Sequence, residues 1–548
     1  MTQPDGQTVT MTYDDAGRLL TQTLPTGQLT YTYDAEGKRT TVRAPDGTTV
    51  SASYDAASRL TAITWAGLVS GSVARTYDAV SRLVSQSVDG DTIPFTYDHD
   101  NRLTGAGALT LTRDAQTGQI VSSTLDSITD TRNYNAADEL LTYQASTNGA
   151  GLWSTEYIRD QVGRVTQKTE TVGGVTDTYT YTYDPAGRLT AVQKNGGTIA
   201  TYTYDANSNR LAHTTPTGAV TGTYDEQDRL LSYGGTTYTY TANGELQSRT
   251  VKGQTTQYTY DVLGNLLRVD LPEGTQIDYI IDGENRRLGK KVNGTLAQGF
   301  LYQDQLEPVA ELDGSGNVVA RFVYGCKQNV PDYLLKGGVT YRILSDHLGS
   351  PRLVVDTTTG AIVQRMDYDE FGNVILDTNP GFQPFGFAGG IYDQHTKLVR
   401  FGARDYDAET GRWTAKDPIR FRGGLSNLYG YVLNDPVNFT DPSGLQFYEV
   451  VTPNTSTLGR EGTVINPKSS FSLFLQRDVS HMYAFAVAHD QLVGTLTDLG
   501  IPDPIVNIPT MLPTFLIKAF ENNLTEERPP GVPTWGLFTI LEIRLPPK

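Results

Sequence analysis

Apolar and polar positions alternate over short runs through the first half of the chain, and each run ends at the same small motif. MTYDDAGRLL begins at Met11, YTYDAEGKRT at Tyr31, SYDAASRL at Ser53, TYDAVSRL at Thr76 and FTYDHDNRL at Phe95. YTYDPAGRL begins at Tyr181, YTYDANSNRL at Tyr202, TYDEQDRL at Thr223 and YTYDVLGNL at Tyr258, with looser copies at Leu111, Asn133, Tyr157 and Tyr238. The period is about 20 residues. In Tyr-Thr-Tyr the two tyrosines share one face of a strand. Asp-x-x-Gly then predicts a tight turn, with the Asp capping backbone N–H groups and the Gly taking a positive φ. Arg-Leu starts the returning strand, so each unit reads as a β-hairpin. A lone hairpin is not stable, so neighbours must stack edge to edge. A long sheet twists and carries exposed edges, which coiling hides. The expected fold is mainly β: hairpins coiled into a spiral sheet or a partial or complete shell, with the tyrosines stacked in rows. Calcium-binding nonapeptide solenoids carry Gly-Gly-x-Gly-x-Asp. Here the Asp stands singly at a turn, so the pattern predicts capping and no metal.

The repeats loosen after residue 279 and give way to a stiff stretch at 417–445, DPIRFRGGLSNLYGYVLNDPVNFTDPSGL. It holds three Asp-Pro pairs: Asp417-Pro418, Asp435-Pro436 and Asp441-Pro442. Proline fixes φ and pushes the preceding residue out of helical geometry, so each pair presents a carboxylate on a rigid turn. The composition changes after Leu445. In the tail, SSFSLFLQR (469–477) and TWGLFTILEIRL (534–545) read as strands, and 480–499 and 513–524 as helices, the second started by its proline. Residues 446–548 thus read as a small α+β domain. The chain divides into a repeat region at 1–325, a more individual region at 326–445 and this tail.

Charge and cysteine content narrow the functions. The formal charge is −17, which repels phosphate backbones, so the repeats are not a nucleic-acid-binding surface. The single cysteine, Cys326, excludes an internal disulfide and a cysteine metal cluster, and its place in a repeat-like VYGCKQN argues for an inert thiol. The N-terminus lacks the basic start and apolar run of a signal peptide, and no apolar run reaches the length of a membrane span. Export would therefore need dedicated machinery or an address supplied by a missing upstream portion.

Asp346-His347-Leu348-Gly349-Ser350, YDEFG from Tyr368, GARDYDAETGRWTAKDPI from Gly402 and NLYGYVLNDPVNFTDPSGL from Asn427 occur in that order. With the Tyr-Asp repeats, this run resembles the RHS/YD-repeat family and its associated core domain, a group similar to teneurin-type shells and to the C component of insecticidal toxin complexes. The resemblance implies a hollow β-cocoon whose core domain cuts the chain just after DPxGL, here between Leu445 and Gln446. It implies that Asp417 and Asp441 are the cutting pair, acting as carboxylates that share a proton, one as acid and one to activate water. It further implies that 446–548 is enclosed cargo, a toxin with a cognate immunity protein. Delivery would run through a secretion system such as type VI, in competition between bacteria or against host cells. No cofactor is implied. Two other readings remain: a shell subunit that needs a partner to complete it, and a structural or adhesive repeat protein with an inert tail.

Other candidates carry weaker signals. Asp435 reads as a turn residue, and His347 as a packing or hydrogen-bonding residue with no second ligand near it. In the tail, His481 and His489 are eight apart, off the i, i+4 spacing of a metal-binding helix. Arg460, Ser470-Phe471-Ser472 and Glu526 faintly resemble the pattern of ADP-ribosyltransferase toxins but lack the Glu-x-Glu, and Arg477, Asp478, Asp490 and Glu527 read as surface or core residues. The apolar stretch at 505–520 is too short and too broken by proline to span a membrane.

Overall fold

Thirty-six strands, from Thr10–Tyr13 to Val374–Asp377, form a single sheet in which each strand pairs antiparallel with the next along the chain. The structure, a computed structural model, describes residues 2–450. Positions 2–418 and 427–450 belong to one unit, and 419–426 to a second, whose described part is one turn of 3-10 helix at Arg420–Gly423. The tail features expected beyond residue 450 lie outside the described residues.

The repeat turn is built as its motif predicts. The Asp14 carboxylate accepts the N–H groups of Ala16 (3.0 Å) and Arg18 (2.8 Å), and the Arg18 Nε at 2.6 Å. The same three bonds recur at Asp55, Asp78 and Asp184. The third residue after the Asp takes a left-handed backbone whatever its type: Gly17 has φ 78°, but Ser58 and Ser81 have 67° and Asn101 has 63°. Non-glycine residues tolerate this conformation only at some cost, which the closed turn offsets.

The tyrosines differ from the simple rows expected. In several repeats the second tyrosine stacks under a cation from the preceding turn: Arg18 lies 5.0 Å over the Tyr33 ring, Arg59 5.0 Å over Tyr77 and Arg188 4.9 Å over Tyr204. The phenol then donates to a carbonyl of that neighbour, Tyr33 to Leu19 O at 2.8 Å and Tyr204 to Leu189 O at 2.7 Å. A column of tyrosines alone would leave both the electron-rich ring faces and the buried hydroxyls without partners. Interleaved guanidinium groups and carbonyls satisfy both. On the opposite face the threonine just before the second tyrosine bonds across the hairpin, as in Thr12–Thr21 at 2.6 Å and Thr223–Ser232 at 2.7 Å.

The sheet winds back on itself at an offset that is near-constant up to Asp126 and shortens beyond it. Asp5 meets Asn243, Arg39 meets Glu284, Arg75 meets Gln303, Ala106 meets Tyr333 and Asp126 meets Thr357, at separations of 238, 245, 228, 227 and 231 residues. The main core spans this seam, joining Trp65, Val73 and Val88 to Leu288, Phe300 and Phe322. Polar clasps cross it too. Buried Arg342 donates from Nη2 to Asp130 at 2.7 Å and to Ser123 Oγ at 2.9 Å, and from Nη1 to Asp332 at 3.2 Å. Arg352 pairs with Glu170 at 2.6 Å.

Residue 325 marks no break in the sheet, which runs on to Asp377. The DHLGS and YDEFG motifs are themselves repeat turns. Asp346 caps the N–H groups of Leu348 and Ser350, and Asp369 those of Phe371 and Asn373. Beyond the sheet come four short strands, Ile391–Tyr392, Leu398–Phe401, Arg404–Asp407 and Arg412–Trp413. They gather a buried aromatic group of Phe401, Tyr406, Trp413 and Tyr431. A last antiparallel pair joins Phe439–Thr440 to Tyr448–Glu449. Among the described residues no helix is long and apolar enough to cross a membrane.

Candidate functional site

Arg404 opens the third of the four short strands, and burial of its flanks decides where its side chain goes. The guanidinium lies 4.2 Å over the Trp413 ring, a favourable site for a planar cation. From there Nη2 reaches Asp417 Oδ2 at 2.9 Å and Asp441 Oδ2 at 3.4 Å, so one nitrogen bridges the two carboxylates predicted as a pair. Asp417 is held by its own N–H, which donates to Leu428 O at 3.0 Å. Arg404 Nη1 donates to the same carbonyl at 3.3 Å. Both acids and the arginine are buried.

The turn after Asp441 folds its carboxylate back onto the following chain. Asp441 Oδ1 accepts the Ser443 hydroxyl at 3.0 Å, the Leu445 N–H at 3.0 Å and the Gln446 N–H at 3.1 Å. The Ser443 oxygen accepts the same two N–H groups at 3.1 and 3.3 Å. Arg404 Nε donates to Gly444 O at 2.5 Å. Two glycines permit this approach. A Cβ on Gly444, at φ 66°, would sit 2.4 Å from Phe401 O, and one on Gly402, at φ 38°, 2.3 Å from Ser443 O. Between them Ala403 N donates to Ser443 O at 2.8 Å.

Burial pushes the Asp441 carboxyl up to about 6; Arg404, the Ser443 hydroxyl and the Leu445 N–H pull against it, and the Asp417 charge adds to the rise. Burial also draws the Arg404 guanidinium below its ordinary value, opposed by both carboxylates. The geometry thus differs from two carboxyls sharing a proton directly: a cation stands between them, and the acid at the Leu445–Gln446 bond is the one inclined to keep its proton.

The neighbouring parts fix this site to the sheet. Arg412 Nη1 donates to Asn209 at 2.8 Å, Asn427 to the same oxygen at 2.8 Å, and the Tyr429 hydroxyl to Gly244 O at 2.6 Å. Asp435 lies apart from the pair, with its carboxylate on the Asn438 amide at 2.8 and 3.0 Å. His347 Nε2 lies 2.7 Å from Val437 O and its ring packs 4.8 Å from Tyr157; burial pulls it down to about 4, so it is neutral at pH 7. Cys326 is buried and its thiol is pushed up to about 12, which leaves it unreactive. Sequence reasoning did not single out Arg404. Its signal was present in GARDYD, between a glycine turn and a strand, but nothing in the spacing tied that arginine to acids 13 and 37 residues away.

A continuous spiral of Tyr-Asp hairpins, followed by short strands and turns that bury a pair of acids, defines a YD-repeat shell protein. Residues 1–437 match the family described as Teneurin YD-shell, and the chain belongs to that family. It is 28% identical to mouse Teneurin-4 over 292 residues, covering 51% of this chain and 10% of that protein. It is 30% identical to mouse Teneurin-3 over 337 residues, covering 58% and 12%. The chain therefore spans about a tenth of the length of these curated relatives. Among solved structures, the complex titled TcdB2-TccC3 aligns with a TM-score of 0.62 at 18% identity, covering 80% of this chain and 28% of that one. A Tc holotoxin pore from Photorhabdus luminescens aligns with a TM-score of 0.58 at 17% identity, covering 82% and 28%. At these identities the likeness is one of fold.

Proposed function

We propose that this chain is a self-cutting YD-repeat shell, which hydrolyses its own bond between Leu445 and Gln446 and so separates residues 446–548 as an effector domain. One observation carries the reading: the Asp441 carboxyl rests 3.1 Å from the Gln446 nitrogen, the leaving atom of that bond. Once water adds to the Leu445 carbonyl carbon, the Gln446 nitrogen gains a lone pair, and a carboxyl that keeps its proton can deliver it there as the carbon–nitrogen bond breaks. Asp417, an acid paired with the Arg404 guanidinium across the site, takes the proton of the attacking water. Arg404 holds the two acids apart and on station, and positioning supplies much of the rate. The fold likeness to a structure titled as a Tc holotoxin pore supports the effector reading of the tail, as does the change of composition after Leu445.

The proton on Asp441 sets a pH dependence. Above about 6 its acid form declines, so the cutting rate of freshly made precursor should fall by about tenfold for each pH unit well above that value. Cell-free synthesis followed by a pH shift and timed intact-mass readings measures it; a rate that rises between pH 6 and 8 rules out Asp441 as the acid. The same burial favours folding at acid pH, because the folded chain holds a proton that the unfolded chain gives up. That contribution is lost as the pH rises through about 6.

Residues 446–548, expressed alone in a bacterium lacking an immunity protein, should slow growth. Unchanged growth with the domain directed to the cytoplasm and to the periplasm alike removes the effector assignment and leaves the cutting reaction standing.

A further inference from the structure

The residues just beyond the proposed cut do not simply leave the site. Tyr448–Glu449 pairs antiparallel with Phe439–Thr440, two residues upstream of Asp441. Val450 N donates to Asn438 O at 3.0 Å. The Phe447 ring packs edge-on against Phe439, with centroids 5.6 Å apart at 86°. Gln446 N is shared between Asp441 Oδ1 and Ser443 Oγ. The strand pairing, the Val450 bond and the ring contact do not involve the Leu445–Gln446 bond.

We propose that the strip from Asn438 to Asp441 is a docking site for the chain end that cleavage creates: a peptide with a free N-terminal ammonium, an aromatic second residue and two strand residues behind it. The inference rests on the cleavage reading and deepens it. Hydrolysis breaks the carbon–nitrogen bond, puts the water hydroxyl on the Leu445 carbonyl carbon and a hydrogen on the Gln446 nitrogen. Near neutral pH the products are a carboxylate and an ammonium. The amide offered Asp441 one N–H; the ammonium offers three donors and a full charge, and charge-assisted hydrogen bonds are about twice as strong as neutral ones. On the other side, the new Leu445 carboxylate forms one residue from a carbonyl already held by Arg404. Cutting therefore strengthens polar contacts at both new ends while the strand pairing and the ring contact persist. A β-strand added to an edge is held by main-chain bonds, with side chains giving selectivity. The separated tail is thus cut from the shell and still attached to it.

The reactivity of the Gln446 α-amine tests this in the full chain. Pulses of an amine-acetylating ester under native conditions, read by mass spectrometry of the fragment that begins at Gln446, give its rate of modification. Loss of ammonia on cyclisation of the same N-terminal glutamine gives a second rate. Both should be slower by about tenfold in the parent than in Phe447→Ala and Val450→Pro, which remove the ring contact and the Asn438 bond and leave Asp417, Asp441 and Arg404 in place. Equal rates in the parent and both variants overturn the docking site alone. Absence of any fragment beginning at Gln446 in the parent overturns the cleavage reading and this proposal with it.

Discussion

Asp417→Asn and Asp441→Asn should each leave a chain of full length, while Asp435→Asn is cut like the parent. In Asp441→Asn the side-chain amide oxygen can still accept the Leu445 and Gln446 N–H groups, so the turn keeps its shape, but the side chain has no acid proton to give. Asp417→Asn removes the group that takes the water proton and the carboxylate that lies 2.9 Å from the Arg404 guanidinium. Loss of a general acid or base slows a reaction by about 100- to 10,000-fold, enough to turn complete cutting into none over an expression experiment. Reversion by deamidation is blocked, because the residue after each substituted position is a proline with no N–H to attack the side chain. Asp435 gives its carboxylate to Asn438 instead, so its variant serves as the matched control. Denaturing intact-mass analysis separates the proposed cut from acid breakage at Asp-Pro, which would leave a new N-terminal proline at Pro418, Pro436 or Pro442. A fragment beginning at Gln446 from both Asp→Asn variants of the pair at the parent rate refutes the assignment.

The second large effect is on stability. Arg342→Met, placed in the uncut Asp441→Asn background, should cost about 3 kcal/mol or more, since removing one partner of a buried ion pair strands the other. Arg342 is 2% exposed and serves three acceptors on two stretches of chain: Asp332 beside it, and Asp130 and Ser123 across the seam. Asp130 keeps Arg132 at 2.8 Å, and Asp332 keeps the N–H groups of Gly325 and Cys326, which holds the loss near the lower end of the range. Denaturant unfolding followed by tyrosine and tryptophan fluorescence measures it. Arg59→Met, at a half-exposed repeat turn, should cost about 1 kcal/mol by comparison, the size of one cation–π contact and its exposed ion pair. If the two variants cannot be told apart, the clasp contributes no more than a surface turn.

What could be read along the chain follows how local each interaction is. Tyr-x-Tyr-Asp-x-x-Gly encodes strand, turn and return within ten residues, and every group that makes the Asp14 or Asp184 turn lies within four positions of it. Hairpin pairing follows, and with it the continuous antiparallel sheet. The cation against the second tyrosine was harder to see, because Arg18 and Tyr33 belong to adjacent repeats and only the strand register brings them together. The motifs at Asp346 and Asp369 looked individual, yet they close the same turn with Ser350 and Asn373 in place of the usual arginine. At the site, the two acids were visible as Asp-Pro pairs within one stiff stretch. Arg404 was not, since its position depends on the Trp413 ring beneath it and on two glycines that let the 441–445 turn pass beside its strand. The docking of residues 447–450 was equally hidden, because a two-residue strand carries no periodicity.

The long offset of the winding has a consequence for the order of events during synthesis. An early hairpin such as Arg75 to Gln86 finds its partner at Gln303 only when more than two hundred further residues have left the ribosome. Contacts so distant in sequence form late and slowly. The acid pair is later still: the turns that carry it are pinned to Asn209 and Gly244, on hairpins that must already stand in their sheet. On the proposed reading, cutting thereby becomes a report on completed assembly. On that reading, a chain that stalls or winds out of register never brings Arg404 and Asp417 to Asp441, and it keeps residues 446–548 joined to a misfolded body that proteases can clear as a whole.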